Sequence, residues 1–351
     1  MPEPQYSAHT FCATAFALLI FSLLVAACGQ PGPSPTATGA EGTSAHPIRI
    51  GLVAKSLGNG FFTAVQKGGK EAATALGGVE VIFTGPATPT AEGQLEVLNS
   101  LIAQHVDAIA VSANDPDALI PTLRRARQRG IKVISYDSAV NDDGRIVHLS
   151  PSSDRLIGET CVQLAAEAMP QMHGKFAIVS ATPTSSNQNA WIAAMKDVLP
   201  TYPGLDLVAV VYGDDVADKS YRETIALLRR YPDLAVIVSP SSVGIVAAAK
   251  AVEDEKLIGK VYVTGLGLPS ELEGHVKSGT VKRFAIWNPV DLGYAAVQIA
   301  ARIARGAQAG PDRTISIGRL GQVNFDANGI GAMGKPFLYD KSNVAQFAQI
   351  F

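Results

Sequence analysis

The sequence predicts an α/β protein of two lobes, each a parallel sheet covered by helices, with a ligand cleft between them. From Ile48 onward, short apolar strands alternate with amphipathic helical stretches, the pattern of repeated βα units. The strands are near-continuous runs of Val, Ile, Leu and Ala, as expected of strands buried on both faces. The rhythm breaks at Arg145–Pro151, at Asn288-Pro289 and around Gly318–Gly321, which read as crossings between lobes.

Ile48–Ala54 reads as the first strand, ending in a polar loop broken by Gly58 and Gly60. A helix follows over Gly60–Leu76, with Phe61, Ala64, Val65, Gly68 and Ala72 at helical spacing. The first series continues as strand Val79–Phe83, helix Ala91–Gln104, strand Ala108–Val111, helix Pro116–Arg129 and strand Ile131–Tyr136. The second reads as helix Leu156–Ala168, strand Phe176–Ser180, helix Asn187–Leu199, strand Leu207–Tyr212, helix Lys219–Tyr231, strand Ala235–Val238 and helix Gly244–Asp254. Strand Val261–Thr264, helix Pro269–Lys277, strand Phe284–Trp287 and the long apolar helix Asp291–Arg305 complete it. From Thr314 the chain reads as short strands and loops. Residues 48–150 with 289–320 are assigned to the first lobe, and 151–288 with 321–351 to the second.

Residues 1–47 are expected to lie outside the fold. Phe11–Ala27 is an apolar run ending in Val25-Ala26-Ala27-Cys28, which looks like a bacterial lipobox. Residues 1–27 would then be a removable leader and Cys28 the lipid-bearing residue. Met1–Thr10 holds Glu3 and no Lys or Arg, whereas a signal peptide normally starts positively charged. The alternative is an uncleaved membrane anchor. Either reading puts the folded part outside the cytoplasmic membrane, held to it. Gly29–His46 is rich in Gly, Pro, Ser, Thr and Ala, the composition of a tether.

The 351 residues are 47% hydrophobic and 17% charged, with a net charge of −2. That balance suits a buried α/β core and gives no basic stripe for nucleic acid. Without the leader and the lipidated cysteine, Cys161 is left alone in an apolar helical stretch and reads as a core residue. The sequence lacks a phosphate-binding Gly-x-x-x-x-Gly-Lys-Ser/Thr loop, His-Glu-x-x-His, Cys-x-x-Cys and Gly-x-Ser-x-Gly. The six His are scattered. No metal, cofactor or enzyme is expected.

Polar and aromatic side chains gather instead at strand ends, where open α/β sheets bind ligands. They are Lys55, Asn59, Phe61 and Phe62; Asn114, Asp115 and Asp117; Asp137; Asn187, Gln188, Asn189 and Trp191; Pro240, Ser241 and Ser242; and Trp287, Asn288 and Asp291. Carboxylates and amides suit a neutral polyol, because each handles several hydroxyls. Aromatic faces suit the apolar face of a sugar ring. Each residue also has a plainer reading. Asp115 or Asp117 can cap the helix at Pro116, Phe61 and Phe62 can pack the first helix, Lys55 can be solvated, and Trp287 can be core. Arg155 and Glu159 read as exposed helix charges.

Several of these stretches resemble one family. They are Lys55-Ser56-Leu57-Gly58-Asn59-Gly60-Phe61-Phe62, Gly85-Pro86 with Ala91-Glu92-Gly93-Gln94, and Ser112-Ala113-Asn114-Asp115-Pro116-Asp117-Ala118-Leu119. Gln128-Arg129-Gly130-Ile131-Lys132-Val133 with Tyr136-Asp137-Ser138, Ser186-Asn187-Gln188-Asn189-Ala190-Trp191, and Phe284-Ala285-Ile286-Trp287-Asn288-Pro289 complete the set. They resemble the type I periplasmic sugar-binding proteins of ABC importers over roughly Ile48–Phe351, nearest the L-rhamnose-binding and autoinducer-2-binding branch. The resemblance implies two Rossmann-like lobes closing by hinge motion on a monosaccharide. It further implies delivery to a permease with its ATPase, by a monomer that uses no cofactor. In the autoinducer-2 branch, it implies ligand contacts at Lys55, Asp137, Asn187 with Gln188, Pro240 with Ser242, and Asn288 after Trp287. Asn187 and Asn288 stand where that branch has carboxylates, and Ser242 where it has alanine. The amides fit a deoxyhexose such as rhamnose at least as well, and the rhamnose-binding branch looks closer along the length. An autoinducer-2 binder and a sugar sensor signalling to a membrane receptor are the alternatives. The ligand-contacting set is therefore Lys55, Phe61, Phe62, Asn114, Asp137, Asn187, Gln188, Pro240, Ser242, Trp287 and Asn288.

Overall fold

A computed structural model describes residues 46–351. The expected leader, Cys28 and most of the tether lie outside the described residues. In chain order the first series is β1 (Ile48–Val53), α1 (Gly60–Leu76), β2 (Val79–Thr84), α2 (Ala91–Ala103), β3 (Ala108–Val111), α3 (Ile120–Gln128), β4 (Lys132–Tyr136) and β5 (His148–Ser150). The second is α4 (Asp154–Ala168), β6 (Gly174–Ser180), α5 (Ser186–Val198), β7 (Leu205–Tyr212), α6 (Ala217–Arg230), β8 (Leu234–Ser239), α7 (Ser242–Asp254), β9 (Tyr262–Gly265), α8 (Pro269–Ser278) and β10 (Arg283–Ile286). α9 (Pro289–Ala304), β11 (Thr314–Ser316), β12 (Gln322–Asn324), β13 (Ile330–Ala332), β14 (Phe337–Asp340) and α10 (Val344–Phe347) close the chain.

The first sheet has the order β13-β5-β4-β3-β1-β2 and is parallel throughout. One of its faces packs Val53, Ile109 and Val111 against Leu98, Leu101 and Leu123 of α2 and α3. Its other face packs Ile50 and Leu52 against α1 and α9. The second sheet runs β7-β6-β8-β9, also parallel. β10 lies beside β9 through a Leu266–Ala285 bridge and pairs antiparallel with β14. Cys161 is buried in this core, and burial pushes its thiol up to about 12, the state of an inert core cysteine. Arg155 and Glu159 pair with each other one helical turn apart on the solvent side of α4.

Two expectations are corrected. The α3 helix begins at Ile120, not Pro116, because Asp115 Oδ1 accepts from the backbone N–H groups of Asp117 and Ala118 and holds a turn there. The tail also divides differently. β13 extends the first sheet beyond β5, in register Ile330–His148, and His148 N donates to Gly329 O. Residues 321–332 therefore pack with the first lobe. The last crossing falls between Ala332 and Phe337 rather than at Gly318–Gly321, where a short helical turn sits against α9 instead. The other crossings follow Ser150 and Ile286.

Where α9 packs on α1, the two helices touch backbone to backbone. A Cβ on Gly68 would lie 1.7 Å from Val290 O, and one on Gly293 would lie 2.0 Å from Val65 O. Each glycine is thus the contact surface the other helix needs. We expect Gly293→Ala to part these helices and cost about 1–3 kcal/mol, as overpacking does. In a chain of this size that lowers Tm by several degrees. An unchanged thermal melt would contradict the contact.

Candidate ligand-binding site

The strand ends of both sheets converge on one small cavity, part of it open to solvent. Among the sequence-predicted residues, Lys55, Phe61, Phe62, Asp137, Asn187, Gln188, Pro240, Ser242 and Trp287 line it. Asn59 and Trp191, noted at strand ends, line it as well.

Each side chain is placed by its element. Lys55 follows β1 and is only 4% exposed. Its ammonium donates to Ser185 Oγ at 2.7 Å and Asn187 Oδ1 at 3.2 Å on the second lobe. Asp137 follows β4 with φ +57°, a left-handed geometry that Asp tolerates better than most residues. The turn aims its carboxylate inward. Oδ2 accepts from Ser112 Oγ at 2.8 Å, and Oδ1 accepts from Asn187 Nδ2 at 3.1 Å. Burial raises the Asp137 pKa, and the Asp215 charge adds to that rise; Lys55, Ser112 and Asn187 pull it back.

Asn187 and Gln188 stand in the first turn of α5. Gln188 Oε1 accepts from Ser180 Oγ and Ala181 N, both at 2.8 Å. This fixes the amide oxygen and leaves the NH₂ group of this cavity-lining residue as the remaining donor. Beside the cavity the lobes touch directly. Ser138 Oγ lies 3.1 Å from Ser186 Oγ, Ser186 Oγ donates to Ala139 O, and Thr184 Oγ1 donates to Asn114 O.

Four rings form the apolar wall. Phe61 meets Phe62 edge-on at 5.2 Å and Trp287 at 6.1 Å, while Trp191 meets Trp287 at 5.5 Å. Trp191 Nε1 donates to Asp154 Oδ1 at 3.0 Å. Trp287 Nε1 is buried and makes no hydrogen bond among the described residues. Leu266 and Ile286 add aliphatic surface.

Two expected contacts are not in the cavity. Asn114 is a staple: its amide donates to Lys55 O and Thr90 O, and its N–H donates to Gln94 Oε1. Gln94 Nε2 in turn donates to Ala54 O and Ser112 O. These two buried amides fasten the loops after β1 and β3. Asn288 is a helix cap: its Oδ1 accepts from Val290 N and Asp291 N at the start of α9, and it faces a different pocket at the lobe crossing. Backbone N–H groups at a helix start need such a partner, which takes up Asn288, whereas the Asn114 amide is taken up by the carbonyls of two loops.

Asp215 lines the cavity and was missed in the sequence. The available signal was Gly213-Asp214-Asp215 directly after a strand, which resembles an ordinary acidic turn. Among the described residues, no cluster of three or more His, Cys, Asp or Glu could hold a metal ion, and no helix is long and apolar enough to cross a membrane.

The raised Asp137 pKa makes a signed prediction. The folded protein takes up this proton before the unfolded chain does as pH falls. Stability from this group is therefore full below pH 3.8, the ordinary value, and is lost as pH rises from there through the raised value. We expect Asp137→Asn to melt at or above the wild-type temperature at pH 7, with the gap closing toward pH 3.8, the ordinary value. A variant that melts lower at pH 7 would contradict the burial argument.

Residues 50–308 match the family model described as a periplasmic binding protein domain. The chain is similar to the crystal structure of an ABC transporter solute-binding protein from Clostridium phytofermentas with bound L-rhamnose. The identity is 34% and the TM-score 0.83, over 87% of this chain and 99% of that one. It is similar to a sugar ABC transporter structure from Actinomyces odontolyticus at 37% identity and TM-score 0.69, over 85% and 97% of the two chains. It is also 25% identical over 244 residues to the D-ribose/D-allose-binding protein of Pseudomonas aeruginosa, covering 66% of this chain and 75% of that protein. The parallel two-sheet architecture, its cleft at the strand ends and these matches together identify the chain as a member of the periplasmic binding protein family, with the type I fold of ABC-transporter solute-binding proteins.

Proposed function

We propose that this protein captures a monosaccharide, L-rhamnose first, outside the cytoplasmic membrane and hands it to an ABC permease. One observation carries the reading. A single cavity joins two carboxylates, Lys55 and the Gln188 amide to a wall of four aromatic rings, drawn from both lobes. Hydroxyls need the first set, and the C–H face of a pyranose needs the second. A methyl-bearing deoxyhexose uses such a wall better than a fully hydroxylated sugar does. The relative with bound L-rhamnose, 34% identical over nearly its whole length, supports the choice of sugar. Binding followed by release, without chemical change, is the activity, and the protein acts as a monomer. Lipid on Cys28 would keep it at the membrane surface, so Cys28→Ser should move it from the membrane fraction to the soluble one.

Both tryptophans of the chain, Trp191 and Trp287, line the cavity, so intrinsic fluorescence reports on it directly. We expect L-rhamnose to change that fluorescence saturably. At about 100 times its Kd it should add about 2.7 kcal/mol of stability, a rise of several degrees in Tm. We expect Asp137→Ala to abolish both responses while the protein stays folded. No response to L-rhamnose, with a response to another monosaccharide or to autoinducer-2, would replace the sugar. No response to any of them would overturn the reading.

A further inference from the structure

We propose that Asp215 contacts the sugar directly and sets which sugar is accepted, its free carboxylate oxygen taking ring hydroxyls from the second-lobe side. The proposal deepens the monosaccharide reading and rests on it.

Asp215 follows the edge strand β7. Asp214 and Asp215 are consecutive left-handed residues, at φ +55° and +51°. Such geometry is unfavourable for residues with a Cβ and persists where surrounding contacts hold it. Here it turns the chain back so that Asp215 reaches the cavity. Ser241 Oγ donates to Asp215 Oδ1 at 2.5 Å and accepts from Gly244 N at 2.9 Å, as the cap of α7. One carboxylate oxygen is therefore fixed to the start of a helix. The other, Oδ2, makes no hydrogen bond among the described residues.

The opposite wall carries Asp137, whose oxygens already accept from Ser112 and Asn187. The two carboxylates come from different lobes and share one cavity with a single ammonium, that of Lys55. Their mutual repulsion is felt at Asp137, where the Asp215 charge disfavours ionisation. A ligand rich in O–H donors relieves it, because a carboxylate only accepts. Asp137 has less capacity to spare, so Asp215 is the acceptor with room for a hydroxyl of the ring. Hydrogen bonds to a charged group are the stronger kind. A sugar without the matching hydroxyl leaves that charge unpaired and is rejected.

The test is calorimetric titration of the wild type and Asp215→Asn with L-rhamnose and its singly deoxygenated derivatives. We expect Asp215→Asn to weaken L-rhamnose on the order of 10- to 100-fold. The penalty should vanish for the one derivative that lacks the hydroxyl Asp215 takes. Equal losses for the parent sugar and every derivative would show that Asp215 only shapes the fold, and would overturn the proposal, as would no loss at all. Should Asp215→Asn fail to fold, the same comparison with Asp215→Glu decides, with the penalty again confined to sugars bearing that hydroxyl. A wild type that binds every sugar normally while the variant matches it overturns only the role of Asp215. A wild type that binds no monosaccharide overturns the functional reading and this proposal together.

Discussion

The Asn187 carboxamide is the joint on which the site depends. Its oxygen accepts from Lys55 and its NH₂ group donates to Asp137, so one neutral side chain of the second lobe satisfies two charged groups of the first. A buried charge without partners costs several kcal/mol. Lys55 and Asp137 can lie at the floor of a cleft because α5 presents an amide to both. A carboxylate at position 187 would suit Lys55 but repel Asp137 at about 3 Å. An amide suits both, and the negative charge enters the cavity from β7 instead.

The energetics suit a protein that closes on its ligand. The direct bonds between lobes beside the cavity include neutral hydroxyl contacts around Ser138, Ser186 and Thr184 and charged ones from Lys55 and Asp137 to Ser185 and Asn187. The neutral ones are worth about 0.5–1.5 kcal/mol net each and the charged ones about 1.5–3, the scale on which conformational equilibria are set. A sugar held from both sides adds contacts of the same size and shifts that balance by its differential affinity. The rigid part of the account lies elsewhere, in the glycine contact between α1 and α9 and in the Gln94–Asn114 staple. These hold the loops of the first lobe in place.

The α/β alternation, the strand ends and most of the cavity were legible in the sequence. Buried parallel strands write themselves as apolar runs, and the side chains after them have a defined place. Asn114 and Asn288 were misread because an amide at a strand end can face a ligand or satisfy the backbone. Which task it performs depends on loop donors that spacing does not reveal. Asp215 was missed for the converse reason. Its inward aim depends on a hydroxyl at Ser241, far along the chain, and on two left-handed residues that composition does not announce. The three-residue strand β13 was illegible because its pairing with His148–Ser150 comes from tertiary contact and is too short for a periodic signal.

The central claim is that one small polyol is gripped between the two lobes by strand-end side chains. A crystal structure of the protein with L-rhamnose tests it most directly. The account predicts the sugar against Phe61, Phe62 and Trp287, with its hydroxyls in hydrogen-bond reach of Asp137, Gln188 and Asp215. A sugar bound outside this cavity, or touching residues of one lobe alone, would contradict it.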